Sequence, residues 1–139
     1  MKSVEFTLDF QVGTSFEAHK IMGFLSGKTE NEKVSNNFKA PFSTMADAYL
    51  FALILGLSMG EKQKVTRRVN YANFNQSVAK NIDISTLLLH LGERGDVKDQ
   101  DSARKAIEEY ATWGLIRLGK AKIGLDDYRI SKLLKSIIK

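Results

Sequence analysis

The chain has 139 residues, no cysteine, a single proline (Pro41) and a hydrophobic fraction of 43%, which describes one well-ordered domain, 1–139, and excludes disulfides and thiolate metal sites. Its formal net charge of +5 is unevenly placed: Met1 to Ile116 carries fourteen basic and fourteen acidic residues, and Arg117 to Lys139 seven basic residues against Asp126 and Asp127. The N-terminus alternates polar and apolar residues and has no continuous apolar run, so it does not read as a signal peptide, and the cytoplasm is the default location.

Val4, Phe6, Leu8 and Phe10 alternate with Glu5, Thr7, Asp9 and Gln11, the period of a half-buried strand, which Gly13 is expected to end. Ser15 can cap a short helix whose apolar face is Ala18, Ile21, Met22 and Leu25. The polar, aperiodic run from Lys28 to Ala40 reads as a loop.

The stretch from Ser43 to Gly60 holds one charge, Asp47, in an otherwise apolar or small-residue run. It reads as the central buried helix, with Ser43 or Thr44 at its N-cap, Asp47 in the first turn and Gly60 as a left-handed stop. It is shorter than the roughly 18 to 20 apolar residues of a membrane span, and an Asp in its first turn would be costly in lipid, so no membrane role is expected.

Lys64 to Tyr71 can form a short strand pairing with the N-terminal one. Asp83 or Ser85 caps a helix containing Leu87, Leu88, Leu89 and Leu91. The acids Asp96, Asp99 and Asp101 precede a long helix, about Asp101 to Gly119, with Ala103, Ile107, Tyr110, Ala111, Leu115 and Leu118 inside and Gly114 interrupting it. Close packing or a bend is the reason expected for a glycine that costs about 1 kcal/mol in a helix. The last element, 126–138, either packs on the domain or forms an arm set off from it by the turn GKAKIG, and it is amphipathic: Ile130, Leu133, Leu134, Ile137 and Ile138 form one stripe, and Arg129, Lys132, Lys135 and Lys139 project from the other side. The expected fold is therefore mainly α (α+β), about five helices around the central one with one or two short strands.

Catalytic and metal-binding patterns are weak. His19 and His90 lack a second ligand at helical spacing and read as structural or surface histidines. The segment GLSMGEK lacks the order of a P-loop, and the Asp cluster lacks the glycine and terminal glutamate of an EF-hand. No cofactor is expected.

Charge offers two candidate contacts. Lys62, Lys64, Arg67 and Arg68 stand next to Asn70, Tyr71, Asn73, Phe74, Asn75 and Gln76, which pairs phosphate-binding cations with groups able to stack on or bond to bases; a solvated basic loop with Tyr71 and Phe74 in the core reads equally well. The basic face of 126–138 either tracks phosphates or is the wet side of a packed helix, and an acidic membrane surface ranks below both.

The segment FSTMADAYLFALILGLSMGEKQKV, with Phe42, Asp47, Phe51, Ala52, Leu55, Gly56 and Gly60, resembles the pattern of small accessory proteins associated with bacterial DNA phosphorothioation (Dnd-type) modification and defence loci. A second block, AIEEYATWGLIRL, with Ile107, Glu108, Glu109, Tyr110, Ala111, Gly114 and Leu115, is similar to that family's E-E-Y-A-x-x-G-L helix. The strand-like N-terminus and the missing proline after the basic stretch depart from it. The resemblance implies a non-catalytic accessory role beside DNA-modifying or DNA-restricting machinery, encoded by a bacterium or a phage, with DNA or protein components of that machinery as partners. The rival expectation is an interaction module that docks on a partner or forms a homodimer through Ile130, Leu133, Leu134, Ile137 and Ile138.

Overall fold

The computed structural model describes residues 10–26, 42, 44–80, 82–93 and 98–121. Within them the order is strand β1 (Gln11–Thr14), helix α1 (Phe16–Leu25), helix α2 (Met45–Met59), strand β2 (Val69–Asn73), a π-helical turn (Phe74–Val78), helix α3 (Ile84–Glu93) and helix α4 (Gln100–Ala121). The fold is mainly α with one two-stranded antiparallel sheet. None of the helices among the described residues is long and apolar enough to cross a membrane.

Helix α2 is the centre. Thr44 is its N-cap, its hydroxyl oxygen accepting from the Asp47 N–H at 3.1 Å, and Gly60 closes it at φ 67°. Every residue from Ala48 to Leu57 except Leu50 is buried, as expected of a helix apolar on all sides. It packs along α4 more extensively than on any other element, and small residues set the approach. A Cβ at Gly114 would collide with the Ala52 carbonyl, and one at Gly56 with the Tyr110 carbonyl. The reciprocal contacts, 52 to 114 and 56 to 110, mean that the helices run antiparallel with backbones touching. Gly114 therefore does not interrupt α4, which continues through it; a side chain there would push the seam apart.

The sheet differs from expectation in position. Gly13 does not end the first strand but lies inside β1, opposite Asn70, where a Cβ would strike the Val69 carbonyl. The absence of a side chain is what lets β2 close on it. Pairing runs Gln11 to Asn73, Val12 to Ala72, Gly13 to Asn70 and Thr14 to Val69, so Tyr71 is the extra residue of a bulge. The second strand, Val69–Asn73, lies slightly later than Lys64 to Tyr71, and residues 61–66 take no regular secondary structure. Val4, Phe6 and Leu8 lie outside the described residues, as does the 126–138 segment.

Helix starts follow local chemistry. Ser15 takes the N-cap position of α1 by backbone conformation, but its hydroxyl makes no capping bond, and Ala18, Met22 and Leu25 are buried, with Ile21 packed beside them. At the start of α3 the Thr86 N–H donates to the Asp83 carboxylate. Asp99 stands before α4 and accepts from the Ser102 N–H at 2.8 Å, while the Ser102 hydroxyl oxygen accepts from the Lys98 and Asp99 N–H groups. Those bonds to Ser102 hold the Asp99 carboxyl below its ordinary pKa. Capping accounts for Asp99, and Asp101 pairs with Arg104; Asp96 lies outside the described residues.

Candidate nucleic-acid interface

Two neighbouring arginines part ways at the junction between the strap 61–68 and β2. Arg68 turns inward: its Nε and Nη2 donate to Glu108, Nη2 at 2.7 Å from Oε2. The Glu108 side chain is 3% exposed and accepts as well from the Gly13 N–H at 2.8 Å and from Arg104 at 3.0 Å. Tyr49, fully buried, donates from its hydroxyl to the Gly13 carbonyl at 2.9 Å. One carboxylate is thus satisfied by β1, the end of the strap and α4 together, which is what a buried charge requires. The Glu108 bonds keep the Arg68 guanidinium firmly protonated, raising its pKa. Burial lifts the Tyr49 phenol well above its ordinary value.

Arg67 turns outward. Its guanidinium carbon lies 4.5 Å from the centre of the Phe16 ring, and the Lys20 ammonium lies 5.4 Å from the same centre, both within cation–π range. Arg67 has φ 50°, the one non-glycine residue among those described with positive φ, a conformation that disfavours L side chains by roughly 1–2 kcal/mol. The strap behind it is fastened at both ends: Glu61 N–H donates to the Gly56 carbonyl, Gln63 N–H to the Glu109 carbonyl, and the Phe16 N–H reaches the Thr66 carbonyl at 3.4 Å. Lys62 sits 5.6 Å from the Tyr110 ring centre, and Lys62, Lys64 and Arg67 are all exposed.

The structure therefore brings Lys62, Lys64 and Arg67 to one exposed strap, adds Lys20 from α1, and ties Arg68, whose side chain stays 37% exposed, to the buried Glu108 carboxylate. Phe74 is buried and stacked on Phe10, with ring centres 6.1 Å apart, so it belongs to the core, and Asn70 bonds Gln11 across the sheet. Arg129, Lys132, Lys135 and Lys139, and the stripe Ile130, Leu133, Leu134, Ile137 and Ile138, lie outside the described residues. Sequence reasoning missed Phe16 and Lys20. Their signal was present as an aromatic at the first position of a helix where the apolar stripe has already been assigned to other residues.

A separate cavity of about 660 Å³ opens beside the start of α2, bordered by Asp47, Leu50, Tyr71, Gln76, Ser77 and Lys80. The bulged Tyr71 stacks on Tyr49, ring centres 6.0 Å apart, and burial followed by the Asp47 charge raises its pKa. The π-helical turn supplies Gln76 and Ser77, and Asn73 caps it by accepting from the Gln76 N–H. Among the described residues no three His, Cys, Asp or Glu side chains cluster as metal ligands. His90 stands 3.9 Å from Glu93 on α3. His19 keeps a buried Nδ1 without a hydrogen-bond partner, and desolvation lowers its pKa.

No family model, no curated protein and no solved structure matches the chain, so its functional reading rests on the geometry just described.

Proposed function

We propose that the chain is a non-catalytic, nucleic-acid-associated protein that holds the phosphate backbone through Lys62, Lys64 and Arg67 of the strap, with Lys20 of α1 beside them. The resemblance of its two sequence blocks to Dnd-type accessory proteins makes DNA the polyanion and a bacterial modification or anti-phage defence system the setting of this reading. The observation that carries it is the orientation of Arg67. A residue in a disfavoured backbone conformation presents its cation at the surface over an aromatic ring, while its neighbour Arg68 supplies the structural ion pair. Strain of this kind, kept at an exposed position, is where a functional constraint is worth seeking.

Electrostatic contact with phosphates releases counterions, so affinity depends steeply on salt. The test is fluorescence anisotropy of a labelled DNA titrated between about 50 and about 200 mM KCl. Affinity is expected to fall over that range, and Lys64→Glu combined with Arg67→Glu is expected to weaken binding to all sequences alike and to flatten the salt dependence. Binding indifferent to salt, or absent at the lowest salt, removes the reading.

A further inference from the structure

Two departures from regular backbone border the cavity beside the start of α2. Tyr71 is the extra residue of the β-bulge, a device that re-aims a side chain out of a strand. The π-helical turn follows: the Ala79 N–H donates to the Phe74 carbonyl at 2.7 Å, five residues back, so the turn carries one residue more than an α-helical turn closed on the same carbonyl. Phe74, Val78 and Ala79 are buried and pin it at both ends, while exposed Gln76 and half-buried Ser77 border the cavity between them. Lys80, also exposed, borders it just beyond the turn. Among the described residues the Tyr71 hydroxyl, the Gln76 side-chain amide, the Ser77 hydroxyl and the Lys80 ammonium take part in no hydrogen bond or ion pair. The fold thus gathers four polar groups around one space without using them itself.

We propose that this cavity binds a short peptide with both ends free, its carboxylate at Lys80, its backbone amides among Tyr71, Gln76 and Ser77, and its ammonium on the wall that carries Asp47. The volume of about 660 Å³ lies inside the range of small-ligand sites, about 300–1,000 Å³. Asp47 and Lys80 border it from different elements and form no ion pair with one another. Asp47 keeps contacts of its own in the fold, and only its sign is used here: a carboxylate accepts at about four lone-pair positions, so an ammonium adds to what is already bonded. One charge of each sign suits the two ends of a zwitterion, whereas a mononucleotide meets Asp47 as a like charge and a polyamine meets Lys80 as one. The side-chain amide of Gln76 and the two hydroxyls each donate and accept, which matches a peptide group with its N–H and C=O. Leu50, Val78 and Ile82 supply an apolar wall for side chains. None of this draws on the cations of the strap, so the inference stands apart from the nucleic-acid reading.

The experiment is isothermal titration calorimetry of the full chain with alanyl-leucine and alanyl-leucyl-alanine, two lengths that differ by at most about 3.6 Å of extended chain. The tighter of the two is then tested with its N-terminus acetylated or its C-terminus amidated. The free peptide is expected to bind saturably and each cap to weaken it about tenfold, the scale of a hydrogen bond to a charged group. Lys80→Gln is expected to weaken the free and the acetylated peptide about tenfold alike and to leave the amidated one unchanged. Tyr71→Phe, which retains the ring, is expected to weaken all three forms, and a thermal melt of each variant checks that it folds. Affinity indifferent to both caps, or Lys80→Gln acting equally on the amidated and free forms, overturns the inference. Loss on acetylation alone overturns it in favour of the N-terminus of a protein partner, and loss on amidation alone in favour of a protein C-terminus. Tighter binding of GMP or of spermidine overturns it in favour of an anion or a cation, and no binding of either peptide at about 10 mM overturns it outright. Salt-dependent DNA binding through the strap survives each of these failures, so the two readings fall separately.

Discussion

The α2–α4 seam and the strap 61–68 join at Gly60 yet are held by opposite means. The seam is made of backbone touching backbone: Ala52 and Gly56 meet Tyr110 and Gly114, and nothing larger fits. The strap is tied down by a few backbone hydrogen bonds and leaves its cations outside. Between them stand Arg67 and Arg68, identical side chains on adjacent residues, one in contact with an exposed ring and the other with a buried carboxylate. Position in the chain therefore does not decide a cation's role; the partner it is given does.

Glu108→Ala removes the acceptor shared by Gly13, Arg68 and Arg104 and is expected to lower stability by about 3–5 kcal/mol, measured by denaturant unfolding. Gly114→Ala is expected to lose about 3 kcal/mol. Its sign is the informative part, since helix propensity alone would make it about 1 kcal/mol more stable. For the arginine pair, Arg68→Met is expected to destabilise by about 2 kcal/mol, because Arg104 still serves Glu108, while Arg67→Met stays within about 0.5 kcal/mol and weakens DNA binding instead. Equal stability losses at 67 and 68 would abolish the distinction. The smallest effect concerns His19. Its folded pKa lies below the unfolded value of about 6.5, so the unfolded chain binds more protons; the stability it contributes is complete above pH 6.5 and is lost as pH falls through the folded pKa. His19→Gln should flatten the pH dependence of the melting temperature in that window and leave it unchanged at neutral pH and above.

Much of the fold was legible because its signals are local. Thr44, Asp47 and Gly60 delimit α2 by chemistry within one helical turn, and the apolar run between them says that it is buried. The strands were harder. Gly13 reads as a strand end because glycine usually is one, and only the close approach of β2, far along the chain, explains it inside β1. The π-helical turn left no period to read, since Phe74 and Val78 are the only buried residues in it. At the candidate site the cations of the strap were visible as composition, but their directions were not. Arg68 turns inward because Glu108 is buried, forty residues away, and an acid in an amphipathic helix ordinarily reads as wet. Phe16 was overlooked for the complementary reason: it lies off the apolar stripe of α1 that defines the helix. Helices α2 and α4 meet each other at Ala52, Gly56, Tyr110 and Gly114, and Glu108 lies on α4 as well.

Both polar groups of Gly13 are spoken for by other elements, its N–H by Glu108 of α4 and its carbonyl by Tyr49 of α2. A two-stranded ribbon of this length does not stand alone in water, and here it is clamped between two helices through a single residue. It has no independent way to open, so the Gly13 amide proton should exchange with solvent deuterium only when the whole domain unfolds, at the slowest rate in the molecule.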